Sequence, residues 1–407
     1  MNRSCVSVNQ LWNRVTRNVI ESRTKVEHYF ELYRIGRHHN SNSNRNRETH
    51  LSDTKQLSFV SESFEQIETK LIDKFSNDLN IRPKLVITFF GNFCPHSKRP
   101  ERLIPSLRQY LAPDTQLLNV VSSAGLIGSF IDREPTDRRT LTTVVDNKAV
   151  ISGNRESLVE PIETQSHVGN CAGISSVIFP KYPNVEIDVF DERNLISLEK
   201  LNSKNDLKCL IVLATTCAGK TSNHLKELKT INQLKEKYDN RIAIGGIIID
   251  DINYFSNNLS TSRKKTRDFY GIAFSGANVR SCSLLFNTLT PEATQQKFQE
   301  FRQNLDFDPH LKACETIGFM FICTGRGVHT EGYPTSNVEA SLFRKVFPGI
   351  KLFGVFGQGE YGHNYWPSIT REKQLQLSQE LQESDSNAHE LWHFYTSVLV
   401  LINLPKK

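Results

Sequence analysis

One pattern recurs three times along this chain and restricts its fold more than any other feature. An apolar run ends in a polar or glycine-bearing turn, a helix-length stretch follows, and a second apolar run ends in another turn. LVITFFGN (Leu85–Asn92), Arg102–Leu111 and Gln116–Val121 form the first copy. LKCLIVLAT, Asn223–Tyr238 and RIAIGGIIIDD form the second, and IGFMFICTG, Asn337–Phe347 and IKLFGVFGQG the third. Runs this continuously apolar suit strands covered on both faces. More strand-like runs follow: AGISSVIFP and VEIDVF, YGIAFSG and VRSCSLLF, and the closing WHFYTSVLVLINL. The pattern predicts an α/β body of repeated strand–helix–strand units in mixed sheets. The polar insertions Ile131–Asp146 and Ile369–His389 read as loops.

The beginning of the chain is different. Val8, Leu11, Trp12, Val15 and Val19 form one stripe at helical spacing, and Met1–Ile35 reads as helical. Residues 36–57 are rich in Asn, Ser, Arg and His and read as a flexible linker, because so little apolar surface cannot offset the entropy of ordering. A helix is expected over about Phe59–Phe75.

Charge and cysteine usage narrow the function classes. The net charge is +6, but the first 50 residues hold nine Lys/Arg against four Asp/Glu, so the rest of the chain carries only +1. A broad basic face for nucleic acid is not expected. No apolar run is long enough to span a bilayer. The eight cysteines contain no C-x-x-C pair and no zinc-finger spacing, which suggests a reducing intracellular compartment and no metal site. No cofactor is expected.

Strand-end turns carry the candidate chemistry. In the third copy, Cys323 precedes Gly325, Arg326 and Gly327, and the second turn holds Gly357, Gly359 and Glu360. A guanidinium beside Cys323 would favour its thiolate, and Arg326 could pair with Glu360; the plainer reading is an inert cysteine closing a buried strand. In the second copy, ATTCAGKT lies between a strand and a helix, as a phosphate-binding loop does, with Gly219, Lys220 and Thr221 at the anion and Asp250 at the magnesium. Ala214 stands where that loop needs its first glycine, and the other copies lack the Lys-Thr pair, so a turn without phosphate chemistry is the stronger reading. Asp250 and Asp251 then cap the following turn.

ETIGFMFICTGRG, SNVEASLFRKVFPGIKLFGVFGQGEYG and FYTSVLVLINL resemble the C-terminal part of a FIST domain. CAGISSVIFPKYPNVEI, AIGGIIIDD and GIAFSGANVRSCSLLFN agree with it, and SCVSVNQLWNRVTRNVI is similar to the last helix of an F-box. The resemblance implies residues 1–35 as the end of an F-box, 36–57 as linker, 58–205 as the FIST N-terminal part and 206–407 as the C-terminal part. It implies a non-catalytic substrate-recognition subunit of a Skp–cullin–F-box ubiquitin ligase, in the cytoplasm, the nucleus or both. Val8, Leu11, Trp12 and Val15 would face the Skp adaptor, and the FIST body would bind a substrate protein. Only the last F-box helix falls inside the sequence, which leaves open a FIST-domain small-ligand sensor without ligase docking. A pocket would then lie near Gly325–Gly327 and Gly357–Gly362.

Overall fold

The computed structural model describes residues 27–34, 64–73, 82–91, 106–131, 159–165, 171–191, 206–215, 221–255, 269–326, 333, 335–382 and 391–406. It begins with β1 (Glu27–Arg34) and α1 (Phe64–Asp73). The first unit then runs β2 (Pro83–Gly91), a helical turn at 106–108, β3 (Gln116–Ser122), β4 (Gly125–Ile131), β5 (Val159–Gln165), β6 (Cys171–Pro180) and β7 (Glu186–Asp191). The second runs β8 (Leu207–Thr215), α2 (Thr221–Lys237), β9 (Ala243–Ile249), β10 (Asp251–Phe255), β11 (Phe269–Ser275), β12 (Arg280–Phe286) and α3 (Pro291–Gln303). The third runs β13 (Cys314–Cys323), a 3-10 turn (Thr324–Arg326), α4 (Val338–Val346), β14 (Lys351–Gly357), β15 (Glu360–Gly362), α5 (Arg371–Gln382), β16 (Trp392–His393) and β17 (Ser397–Pro405). The expected mixed-sheet α/β architecture is what forms.

Each predicted strand–helix–strand unit supplies one parallel pair to its own sheet: β2 with β3, β8 with β9, and β13 with β14. The sheets have the orders β1-β6-β2-β3-β10, β7-β11-β8-β9-β15-β16 and β12-β17-β13-β14-β4-β5. Every other pairing between described strands is antiparallel, and several of these pairings run between units. The strand after each parallel pair leaves its own sheet: β4 joins β14, β10 joins β3, and β15 joins β9. Each unit thus completes another unit's sheet, in a closed cycle of three. Hydrogen bonding accordingly runs across residue 206 in both directions.

The turns where the chain changes sheets are bonded to one another. Ser122 Oγ donates to Phe356 O (2.6 Å), Asp250 N to Val121 O (3.2 Å) and Gln358 N to Ile248 O (2.9 Å). Asp250 also accepts from Ser123 N through Oδ2 at 2.5 Å.

The apolar runs are continuous because both faces of each sheet are covered. Along the first strand of each unit, Leu85, Ile87 and Phe89, then Cys209, Ile211 and Leu213, then Ile317, Phe319 and Phe321, all point into one core shared by the three sheets. The intervening residues face outward to helices: Val86 and Phe90 meet Leu71 of α1, Leu210 and Val212 meet Leu228 and Ile231 of α2, and Met320 and Ile322 meet Phe298 of α3 and Phe343 of α4. Phe319 of β13 joins its sheet to the first, with its ring 6.5 Å from Phe89 of β2 and 6.4 Å from Phe179 of β6.

Two sequence expectations are corrected, and a third is met within the described residues. Met1–Ile35 is not helix to its end: Glu27–Arg34 is a strand paired with β6 over its whole length, and its Tyr29, Phe30 and Tyr33 are residues that strands favour. The insertion Ile369–His389 is not wholly loop, because α5 forms within it. The helix expected over Phe59–Phe75 is observed as Phe64–Asp73. The stripe Val8, Leu11, Trp12 and Val15 and the tract 36–57 lie outside the described residues.

Close approach at the sheet crossings leaves no room for side chains. A Cβ on Gly357 would stand 2.2 Å from Ile248 O, a backbone atom that moves only with its strand. Gly357→Ala should lose about 1–3 kcal/mol, the usual cost of overpacking. A lower denaturant midpoint with an unchanged slope in equilibrium unfolding checks this.

Candidate functional site

The 3-10 turn after β13, the first turn of α4, the crossing from β14 to β15 and the loop between β16 and β17 meet around one guanidinium. Arg326 is 1% exposed. Its Nε donates to Glu339 Oε1 (2.9 Å) and its Nη2 lies 2.8 Å from the same oxygen. Nη2 also donates to Thr288 O (2.6 Å) and Tyr333 Oη (2.8 Å), and Nη1 donates to Tyr395 O (3.2 Å). The rings of Phe286 and Tyr333 lie over it, each with its centroid 5.3 Å away. Burial works against the charge, but Glu339 and Tyr333 more than offset it, so Arg326 stays cationic.

The pairing inferred from sequence is therefore replaced. Arg326 pairs with Glu339, not Glu360. Glu339 Oε1 also accepts from Ser397 Oγ at 2.9 Å, which ties α4 to β17. Glu360 is fully buried and accepts through Oε2 from the hydroxyl (2.9 Å) and backbone N–H (3.4 Å) of Thr396. Its Oε1 and the Oε2 of Glu339 have no hydrogen-bond partner among the described residues. Burial lifts the Glu360 carboxyl to about 8, against bonds from Thr396 and Cys323 and the charge of Arg326, all of which pull it down. Glu360 is thus predominantly an uncharged acid at neutral pH.

Cys323 lies against that acid. Burial, and then the charge Glu360 would carry, push its thiol up to about 12. The expected thiolate does not form, because the nearby guanidinium faces Glu339 and the sulfur faces a carboxyl. A third acid completes the cluster. Glu163 of β5 accepts from Ala340 N through Oε2 (3.2 Å) at the N-terminus of α4, where helix N–H groups lack internal partners. Burial first, and then the charge of Glu339, raise it to about 8.

The glycines serve close approach. A Cβ on Gly325 would stand 2.6 Å from the Tyr395 ring, and Gly359 has φ +112° with Trp392 Nε1 2.7 Å from its Cβ position. Tyr395 is itself unusual, with φ 55° and 65% of its surface exposed. Its carbonyl is held by Arg326 while its ring covers Gly325. Gly327 lies outside the described residues.

Cys323, Gly325, Arg326, Gly357, Gly359 and Glu360 are thus brought into one neighbourhood. Sequence reasoning missed Glu339, Glu163, Tyr333, Thr396 and Tyr395. An acid in the first turn of a helix and an acid on a polar strand are ordinary features, and nothing in the chain marks their convergence on Arg326. Of the phosphate-loop candidates, Asp250 accepts from Ser123 N and Thr221 opens α2, while Gly219 and Lys220 lie outside the described residues. His363, the residue after β15, places Nε2 2.8 Å from Ile242 O. Burial holds it down to about 3, so it is neutral.

No family model matches the chain. Its similarity to curated proteins is to F-box proteins. It is 28% identical to F-box only protein 22 of Homo sapiens over 242 residues, and 28% identical to F-box only protein 22 of Pongo abelii over 241 residues. Each alignment covers 56% of this chain and 56% of the relative, so the chain spans about half the length of the curated relatives it matches.

Two outcomes test the cluster. Arg326→Met leaves Glu339 buried without its cation and should cost about 3–5 kcal/mol; Glu339→Gln on that background should restore part of the loss, measured by equilibrium unfolding. Glu360 and Glu163 bind protons more tightly in the folded chain than unfolded. Their contribution is therefore fully present below the ordinary carboxylate range and falls as pH rises from about 4.5 to about 8. Glu360→Gln should flatten that decline in a pH series of unfolding curves.

Proposed function

We propose that this chain is the substrate-binding body of an F-box subunit of a Skp–cullin–F-box ubiquitin ligase. The observation that carries this reading is the similarity to F-box only protein 22. The site geometry supports it. Arg326 is bonded to Glu339, and Glu360 to Thr396 and Cys323, so these groups serve to shape loops, and Tyr395 stands exposed beside them. A surface of that kind suits protein recognition. The ubiquitin thioester would sit on a partner enzyme. Such a subunit works in the cytoplasm or nucleus, and no helix among the described residues is long and apolar enough to cross a membrane.

A second reading, a small-ligand binding body, rests on Glu360 Oε1, a buried acceptor without a partner among the described residues. Nucleotide binding through Gly219, Lys220, Thr221 and Asp250 has no comparable observation in its favour.

The ligase reading is tested by co-purification. The full-length product of the gene, co-expressed with the Skp adaptor, should elute with it. Truncating Leu11 and Trp12 to alanine should weaken capture on the order of tenfold or more, as loss of buried interface side chains does. Failure of the full-length product to retain the adaptor would overturn the reading.

A further inference from the structure

The outer face of the first sheet carries a buried polar row that its two counterparts lack. On that face Val86 and Phe90 of β2, Leu117 and Val121 of β3, and Ile174 and Ile178 of β6 gather beneath Leu71 of α1. Side chains alternate between the two faces of a strand, so Thr88, Asn119 and Ser176 project from the same face, between those apolar residues. Cross-strand register sets them side by side: Ser176 opposite Thr88, Thr88 opposite Asn119, and Asn119 opposite Asn253 of β10. Phe255, two residues beyond Asn253, packs against the same apolar cluster, so Asn253 shares the face.

None of the four is more than 1% exposed. Ser176 Oγ donates to Thr88 Oγ1 (3.1 Å), and Asn253 Nδ2 donates to Asp251 Oδ2 (3.1 Å). Asn119 Nδ2, Asn119 Oδ1 and Asn253 Oδ1 have no hydrogen-bond partner among the described residues. Amide groups buried in this condition cost stability, and folded proteins leave few of them unpaired. The fold itself does not call for them. Where the first sheet has Thr88, Asn119 and Asn253, the second has Val212, Gly246 and Tyr361, and the third has Met320, Gly354 and Ile127. The row also runs to a sheet edge. β10 is the last described strand of its sheet, and Asp251 and Phe255, which flank Asn253 on this face, are only partly buried.

The unpaired atoms define what fits them. They are two acceptor oxygens and one amino group, in a row without a charged side chain. A primary carboxamide complements that set, because it donates two N–H bonds and accepts through its carbonyl. A carboxylate would be desolvated among apolar side chains with no cation in the row to meet it. Asp251, the acid bordering the row, already accepts from Asn253 Nδ2 and Ile252 N. We propose that Asn119 and Asn253 form a binding site for a small neutral molecule that carries a primary carboxamide on an apolar body and enters from the β10 edge. Asn119 Nδ2 donates to the carboxamide oxygen, the two Oδ1 atoms accept from its nitrogen, and the apolar residues on either side of the row cover its body. The site shares no strand with the Arg326 cluster, and it is independent of the ligase reading.

Benzamide is the probe, with benzoate and toluene as controls. At about 100 times its dissociation constant, benzamide should raise the thermal unfolding midpoint of the chain by ~3 °C. It should also receive saturation transfer from the protein in NMR spectra, and neither control should give either signal. Asn119→Leu and Asn253→Leu should each abolish both signals without lowering the midpoint of the unliganded chain, because leucine removes the unpaired amide. Should a leucine form fail to fold by circular dichroism, the alanine form at the same position takes its place. Absence of both benzamide signals in the parent chain, the result expected if internal water alone meets the amides, would overturn the site. An equal response to toluene, or benzamide signals that persist in either variant, would overturn it too.

Discussion

Strand exchange is the constraint on which the rest of this molecule depends. β4, β10 and β15 each leave the sheet of the strand before them and complete a neighbour. No sheet has its full set of strands until another unit is in place. The inner faces of all three sheets bury into one cluster, with Phe319 touching rings from two of them. Most of the stabilising pairings therefore join residues distant in sequence. Closing such contacts is entropically expensive before it is rewarding, which favours slow and highly cooperative folding.

The buried cluster around Arg326 is best understood within that frame. Three carboxyl groups and one guanidinium out of water are costly, and their bonds do not make them a strong source of stability compared with apolar packing. What the cluster supplies is position. Arg326 fixes the carbonyls of Thr288 and Tyr395, Glu339 fixes Ser397, Glu360 fixes Thr396, and Glu163 holds the start of α4. Four segments are thereby located relative to one another at the end of the third unit's first strand. Tyr395 stands outward from this frame in a left-handed backbone conformation that a tyrosine rarely adopts unless its surroundings impose it.

Much of this architecture is legible in the chain because strands covered on both faces leave an unmistakable mark. LVITFFG, LKCLIVLAT and IGFMFIC could hardly be anything else, and the helix-length stretches between them place the parallel pairs. The exchange is not legible, since which sheet β10 or β15 joins is set by packing and not by composition. β1 is hidden for a related reason: EHYFELYR has no clean alternation of apolar and polar residues and is preceded by a helical stripe, so local pattern carries the wrong element past its end. At the site, the neighbourhood of Cys323, Arg326 and Glu360 follows from their strand ends, but their protonation does not. The thiol and Glu360 stay protonated because burial disfavours their charged forms, and the guanidinium that could offset this is paired with Glu339.

A chain arranged as a cycle has no intrinsic first strand. β1 stands where the successor of β17 belongs, so the polypeptide is a ring cut at one seam. Sequence order and spatial order part at that seam: Glu27–Arg34 does for β6 what β7 does for β11 and β12 does for β17.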